Sequence, residues 1–243
     1  MVKVSETTYN PCPGDNISVI IVAAGTGSRF GADIPKQFLL LNNKPVLQHT
    51  VERFRTALPS ARIVLVLSDI GLEIWHDLCR HSGFQSPETV RGGATRSESV
   101  HNAIRLLAPD ADSQSIVLIH DGARPLVATD AIKRVAEAFD HIGVEAVVPI
   151  VPLTEAIALG NPDDGTCTPV DRANFRTVQT PQAFRTRILD AAYTALDGQS
   201  MPDDAAIYTA FTGKPLHTVQ GDIHNIKITN PADLAIAELL LKK

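Results

Sequence analysis

Short apolar runs alternate with longer amphipathic stretches along most of this chain. The runs Ile17 to Ala23, Ile63 to Leu67, Ile116 to Ile119 and Ala146 to Ile150 are nearly continuous in Val, Ile and Leu, as strands covered on both faces should be. Between them, apolar residues at helical spacing predict helices near Pro45 to Ala57, Gly71 to His81, Ser97 to Leu107 and Asp130 to His141. Repeated strand-then-helix order predicts an α/β fold with a mostly parallel sheet and helices on both of its faces. One helix start is well signed: Thr95 stands three residues before Glu98, a capping-box spacing, and Val100, Ile104 and Leu107 recur behind it. At the other end of the chain Asn230 caps, and Pro231 opens, a final helix through Leu234, Ala237, Leu240 and Leu241.

The alternation breaks between Val151 and Gln179. Two short β-like stretches there flank an Asn-Pro-Asp-Asp-Gly cluster, which predicts a hairpin projecting from the sheet. An exposed strand edge is commonly covered by pairing or by a second subunit. Dimerisation through an arm at 151–179 is one way of covering it.

Composition narrows the class. The 243 residues are 44% apolar and 20% charged, and no apolar run approaches the roughly 20 residues that span a bilayer. We expect one domain over 17–243, behind a polar leader at 1–16 that lacks the apolar segment of a secretory signal. The three cysteines, Cys12, Cys79 and Cys167, are scattered without metal-ligand spacing, so a reducing cytoplasm is the expected location. A formal net charge of −5 supplies no basic field for nucleic acid or an acidic membrane. If the ligand is anionic, positive charge must be gathered locally.

The stretch VIIVAAGTGSRFGADIPKQF, residues 19–38, offers such a place. Gly25, Gly27 and Gly31 follow the first strand as they would in a dinucleotide-binding loop. That reading needs a helix to run on from the loop, and Pro35 interrupts it. No Gly-Lys-Ser/Thr follows for a Walker-type loop. Arg29 and Lys36 instead stand within and just beyond this glycine-rich segment, where both could reach a triphosphate lying over its backbone N–H groups. The segment RGGATRSESV repeats the logic at a second strand end, where a glycine turn meets a helix N-terminus. His120 and His224 find no second ligand or base in the sequence and receive no chemical role.

Taken together, AAGTGSRFGADIPKQF, RGGATRSESV, IHDGARPLV, PVDR, TPQAF and HNIKITNPADLAIAE occur in an order that resembles the 2-C-methyl-D-erythritol 4-phosphate cytidylyltransferase family. The resemblance covers roughly residues 17 to 242. It implies a Rossmann-like nucleotidyltransferase fold, a three-layer sandwich with a protruding β-hairpin arm, in a Mg²⁺-dependent homodimer. It implies that CTP lies over Ala23, Ala24, Gly25, Thr26 and Gly27 with further contacts at Gly93, Arg96 and Ser99. Arg29 and Lys36 match the residues that stabilise the transition state. Asp121 matches the metal and substrate aspartate, and Arg124 and Thr180 match substrate contacts. Arg172 and Lys227 match the basic pair that positions the polyol phosphate, Arg172 acting from the arm on the partner subunit.

The expected reaction is attack by an acceptor phosphate oxygen on the α-phosphorus of CTP, with pyrophosphate leaving in line. Two positions depart from the family's pattern: Ala156 and Pro202 stand where many members carry threonines. Ribitol 5-phosphate is therefore the alternative acceptor, although Ala123 before the Arg of the HDGARP segment favours the methylerythritol substrate. A catalytically silent nucleotide-binding homologue is the alternative from another class. Retention of Arg29, Lys36, Asp121, Arg172 and Lys227 argues against it.

Overall fold

Both faces of the central strands are dry, and their side chains divide cleanly between two helical layers. We describe a computed structural model that covers residues 16–25, 34–161, 165–199 and 201–242. Thr26, Gly27, Arg29 and Gly31, and residues 1–15 of the leader expected at 1–16, lie outside the described residues. In chain order the elements are β1 (Ile17–Ala23), β2 (Leu40–Leu41), β3 (Lys44–Pro45), α1 (Val46–Ala57), β4 (Arg62–Leu67), α2 (Asp69–Ser82), β5 (Glu88–Arg91), α3 (Arg96–Leu107), β6 (Ile116–Asp121), α4 (Thr129–Glu137), β7 (Ala146–Pro152), β8 (Ile157–Asn161), β9 (Thr166–Val170), β10 (Arg176–Val178), β11 (Gln182–Arg185), α5 (Thr186–Ala195), α6 (Asp204–Thr212), β12 (His217–Gln220) and α7 (Pro231–Leu241).

Strands β6, β1, β4 and β5 lie side by side and parallel. The antiparallel β11 joins β6 to β7. β10 pairs antiparallel with β7, and β12 pairs parallel with it. Alternation along the strands sets the layers. Val19, Ile21, Leu65 and Leu118 face Leu47, Val51 and Phe54 of α1, Trp75 of α2 and Ile132 and Val135 of α4. Their neighbours Ile20, Val64, Val66, Val117 and Ile119 face Val100 and Ile104 of α3, Leu189 of α5 and Tyr208 of α6. A period of two on a strand therefore makes a three-layer sandwich.

The predicted strands and helices stand near their expected bounds, with differences that have local causes. The helix expected at Gly71 begins earlier, because the Ser68 hydroxyl accepts the Gly71 N–H and caps Asp69. The helix expected to reach His141 ends at Glu137 and tightens into a 3-10 turn over Ala138–Asp140. The strand end expected before the glycine turn at 92–93 is that of β5, whereas β10, β11, α5, α6 and β12 are not among the predicted elements. The tail helix is capped as expected by Asn230, which accepts the Asp233 N–H while the Asp233 carboxylate accepts the Asn230 N–H. The expected hairpin is present as β8 paired antiparallel with β9.

Candidate active site

Parallel strands bring their carboxyl ends to one edge of the sheet, where α/β proteins bind ligands. Here β1, β4 and β6 end at Ala23, Leu67 and Asp121. A cavity of about 560 Å³ opens above these ends. Ala23, Ala24, Gly25, Lys36, Gly93, Arg96, Ser99, Asp121 and Lys227 all line it. Close packing of strand ends forms its floor. A Cβ on Gly122 would lie 2.9 Å from the Ala23 Cβ and 3.1 Å from the Val22 carbonyl oxygen, so only glycine lets β6 turn away there. The buried Thr50 hydroxyl of α1 donates to the Gly122 carbonyl at 3.1 Å and fixes that turn.

Gly25 differs from Gly122. A Cβ added to it would meet nothing within 4 Å among the described atoms. Among the described residues nothing requires a glycine there, whereas a ligand lying close to the backbone would.

The start of α3 is built differently from the sequence expectation. The Thr95 hydroxyl accepts the Glu98 N–H at 3.0 Å, as a cap should. The Glu98 carboxylate, however, takes the Ala94 N–H at 2.8 Å rather than closing a capping box on Thr95. The Gly93 N–H donates to the Ser99 hydroxyl at 3.0 Å. Two N–H groups of the glycine turn are thus spent on the protein's own side chains. The positive charge at this wall comes chiefly from Arg96.

Arg96 is held from beneath. Its two terminal nitrogens donate to both carboxylate oxygens of Asp204, at 3.0 and 2.6 Å, and the Asp204 side chain is fully buried. The Tyr193 hydroxyl donates to the same carboxylate. Burial would lower the Arg96 pKa, but Asp204 outweighs it and raises it, so the guanidinium stays charged. A planar bidentate pair also fixes the direction of the fork. Asp204 is not among the residues that the sequence singles out. Its one local signal is the doubled acid Asp203-Asp204, of which Asp203 is the cap of α6 through the Ala206 N–H.

Asp121 is the hub of the opposite wall. Lys227 Nζ lies 3.0 Å, and Arg124 Nε 3.2 Å, from its Oδ2. Burial would raise this carboxyl, but Lys227, Arg124 and Arg96 more than reverse that and hold it far below the usual carboxylate range. Lys227 reaches the hub from an irregular segment. Its neighbour Ile228 anchors that segment by donating its N–H to the Ala123 carbonyl at 2.9 Å.

Arg124 and Thr180 are placed behind the cavity wall rather than on it. Arg124 donates to Asp121 and, at 2.8 Å, to the Asn225 carbonyl. The Thr180 hydroxyl is buried and accepts the Asp121 N–H at 3.2 Å while lying 3.0 Å from His120 Nδ1. His120 Nε2 is 3.2 Å from the Arg124 carbonyl, which can only accept. The neutral tautomer with its proton on Nε2 satisfies every partner: Asp121 N–H to Thr180, Thr180 O–H to His120, His120 N–H to Arg124. These residues orient Asp121. Arg172 lies away from the cavity on the exposed arm, where it donates to the Thr154 carbonyl.

Among the described residues no three His, Cys, Asp or Glu side chains are grouped to share a metal ion. Among those same residues Asp121 is the one carboxylate lining the cavity. It fits a Mg²⁺ that takes most of its ligands from phosphate oxygens and water. No helix among the described residues is long and apolar enough to cross a membrane.

Aligned strand ends, a glycine on the cavity wall and cations gathered about buried carboxylates are the features of a nucleotidyltransferase of the α/β class. The sequence profile described as "IspD: 2-C-methyl-D-erythritol 4-phosphate cytidylyltransferase" matches residues 17–243. The chain belongs to this family. A protein of that name from Porphyromonas gingivalis is 42% identical over 223 residues, which cover 91% of this chain and 96% of that protein. One from Bacteroides thetaiotaomicron is 40% identical, over 92% and 99%. Among solved structures, the 2-C-methyl-D-erythritol 4-phosphate cytidylyltransferase of Thermus thermophilus is 31% identical with a TM-score of 0.71, covering 94% of this chain and 100% of that one. The Anaerococcus prevotii 4-diphosphocytidyl-2C-methyl-D-erythritol synthase superposes at a TM-score of 0.77, at 25% identity, over 95% of this chain and 100% of that one.

The buried histidine gives a stability signature. Burial lowers the His120 pKa from 6.5 to about 4. Below pH 6.5 the unfolded chain takes up a proton that the folded one refuses, so this contribution is present above pH 6.5 and is lost as pH falls toward 4. The loss is on the order of 3 kcal/mol over that window, from about 1.36 kcal/mol per pKa unit. Urea denaturation across pH 4 to 7 is expected to show a shallower slope in His120→Gln than in the native chain.

Proposed function

We propose that the protein transfers CMP from CTP to 2-C-methyl-D-erythritol 4-phosphate, releasing pyrophosphate. The observation that carries this reading is the cavity itself: Lys36, Arg96 and Lys227 line one site at the carboxyl ends of the strands of an acidic protein. The names of the relatives supply the identity of base and acceptor. Arg29 stands in the same loop by sequence and is assigned the same stabilising role.

The chemistry needs these groups and little else. Near pH 7 a phosphate monoester is largely doubly ionised, since its second pKa is about 6, so no protein base is required to create the nucleophile. Both reactants are anions and repel each other. Attack on the α-phosphorus also builds charge on its equatorial oxygens and on the leaving pyrophosphate. In this scheme Lys36 and Arg96 neutralise the triphosphate side, and Lys227 meets the acceptor phosphate beside Asp121. Asp121 is the residue that would hold Mg²⁺, which when bound neutralises phosphate charge and templates the displacement.

The arm is proposed to complete the site in a homodimer. Leu159, Phe175 and Val178 expose apolar surface along it, and Arg172 stands on the same arm. Covering that surface with a second copy would remove it from water and deliver Arg172 across the interface. Light scattering is expected to give twice the chain mass. Activity from a stable monomer would overturn the role of Arg172.

The acceptor is tested by measuring pyrophosphate from each nucleoside triphosphate with Mg²⁺ and either methylerythritol phosphate or ribitol phosphate. CTP with methylerythritol phosphate is expected to be the fastest pair. Faster turnover with ribitol phosphate would assign the sister activity, and no release from any pair would leave a silent homologue. In the same assay Lys36→Ala is expected to lower turnover about 100-fold or more, the scale for removing one oxyanion-stabilising donor.

A further inference from the structure

The side chain beside Lys36 points back into the fold and makes bonds that the reaction scheme has not used. Gln37 is 3% exposed, although it sits in a single 3-10 turn at the edge of the cavity. Its amide nitrogen donates to the Ala23 carbonyl at 2.7 Å and to the Gly25 carbonyl at 3.1 Å. One side-chain NH₂ thus binds two backbone carbonyls of the segment where β1 leaves the sheet.

A trans peptide is planar, so its C=O and N–H point in opposite directions. Holding the Ala23 carbonyl against Gln37 therefore turns the Ala24 N–H the other way. That N–H makes no hydrogen bond to any described residue, and Ala24 lines the cavity. The carbonyls, which would repel a phosphate, are tied to the protein, and among the described residues this donor is left for the ligand.

We propose that Gln37 is a positioning residue for the nucleotide, fixing the peptide orientation at the β1 exit so that N–H groups rather than carbonyl oxygens meet the triphosphate. The inference rests on the proposed use of CTP at this cavity. Gln37 is also bonded covalently to Lys36, so the same two hydrogen bonds tie the Lys36 backbone to the end of β1. Gln37 acts on the nucleotide side only, because its partners are residues 23 and 25, whereas Asp121 and Lys227 are held by α1, Thr180 and Ile228.

The test uses the full chain with Gln37→Met, which keeps length and loses both donors, and Gln37→Glu, which keeps shape and places a carboxylate against two carbonyls. KM for CTP and for the acceptor, kcat, and CTP affinity by calorimetry are measured for each. Gln37→Met is expected to raise KM and Kd for CTP roughly 10-fold, the equivalent of about one to two lost hydrogen bonds, while KM for the acceptor stays within about twofold. Gln37→Glu is expected to be weaker still at pH 8 and to recover part of its CTP affinity as pH falls toward 5, where the protonated carboxyl regains one donor. Unchanged CTP affinity in either folded variant, or an equal rise in both KM values, overturns the proposal. Should Gln37→Met fail to fold, the pH dependence of Gln37→Glu decides: no recovery overturns it. A native chain that turns over CTP normally beside unaffected variants refutes this inference alone, whereas a native chain that binds no CTP refutes the functional reading with it.

Discussion

An acidic protein that handles two polyanions must gather its cations at one place and keep them charged and aimed. Asp121 and Asp204 do this from opposite walls of the cavity. Asp121 holds Lys227 and Arg124, and Asp204 holds Arg96 by a two-point contact. Each acid is buried and would be costly alone, and each is offset by the cation it orients. The cavity is thus not lined by loose surface lysines. Arg96 and Lys227 are each set by a buried carboxylate: Tyr193 bonds that of Asp204, and Thr180, backed by His120, holds the backbone of Asp121.

The sheet makes that arrangement possible. Parallel pairing of β1, β4 and β6 aligns their ends, so residues far apart in sequence converge. Arg96 and Asp204 are 108 positions apart. Dry packing on both faces then gives the strand ends a rigid base, and Thr50 and Gly122 show how closely α1 and β6 meet beneath the cavity floor. Above this base a single 3-10 turn carries Lys36, and an irregular segment carries Lys227.

The strands of the inner sheet were legible because two-sided burial leaves near-continuous apolar runs. β11 was not: four residues long, it is stabilised by β6 and β7 on its two sides rather than by a pattern of its own. Of the edge strand β5 only the end at Arg91 was legible, from the glycine turn that follows it, because Glu88–Arg91 is short and has no buried residue. The site divides in the same way. Glycines after a strand with Lys36 nearby signal an anion locally, and Arg96 follows a visible helix start. Gln37 and Asp204 carry no such signal, because what they do depends on carbonyls or a guanidinium brought to them only by folding. Thr180 and Arg124 matched the family's substrate contacts, yet lie behind Asp121, since a sequence match does not reveal which side of a wall a side chain occupies.

Direct transfer is the central claim: cations align two anions, and no protein group is ever bonded to the nucleotide. The stereochemical course at phosphorus tests this most directly. CTP carrying a sulfur at one α-phosphate position, of known configuration, would be turned over with the acceptor and the product configuration read by phosphorus NMR. A single in-line displacement predicts inversion. Retention would demand two displacements through a covalent enzyme intermediate and would contradict the account.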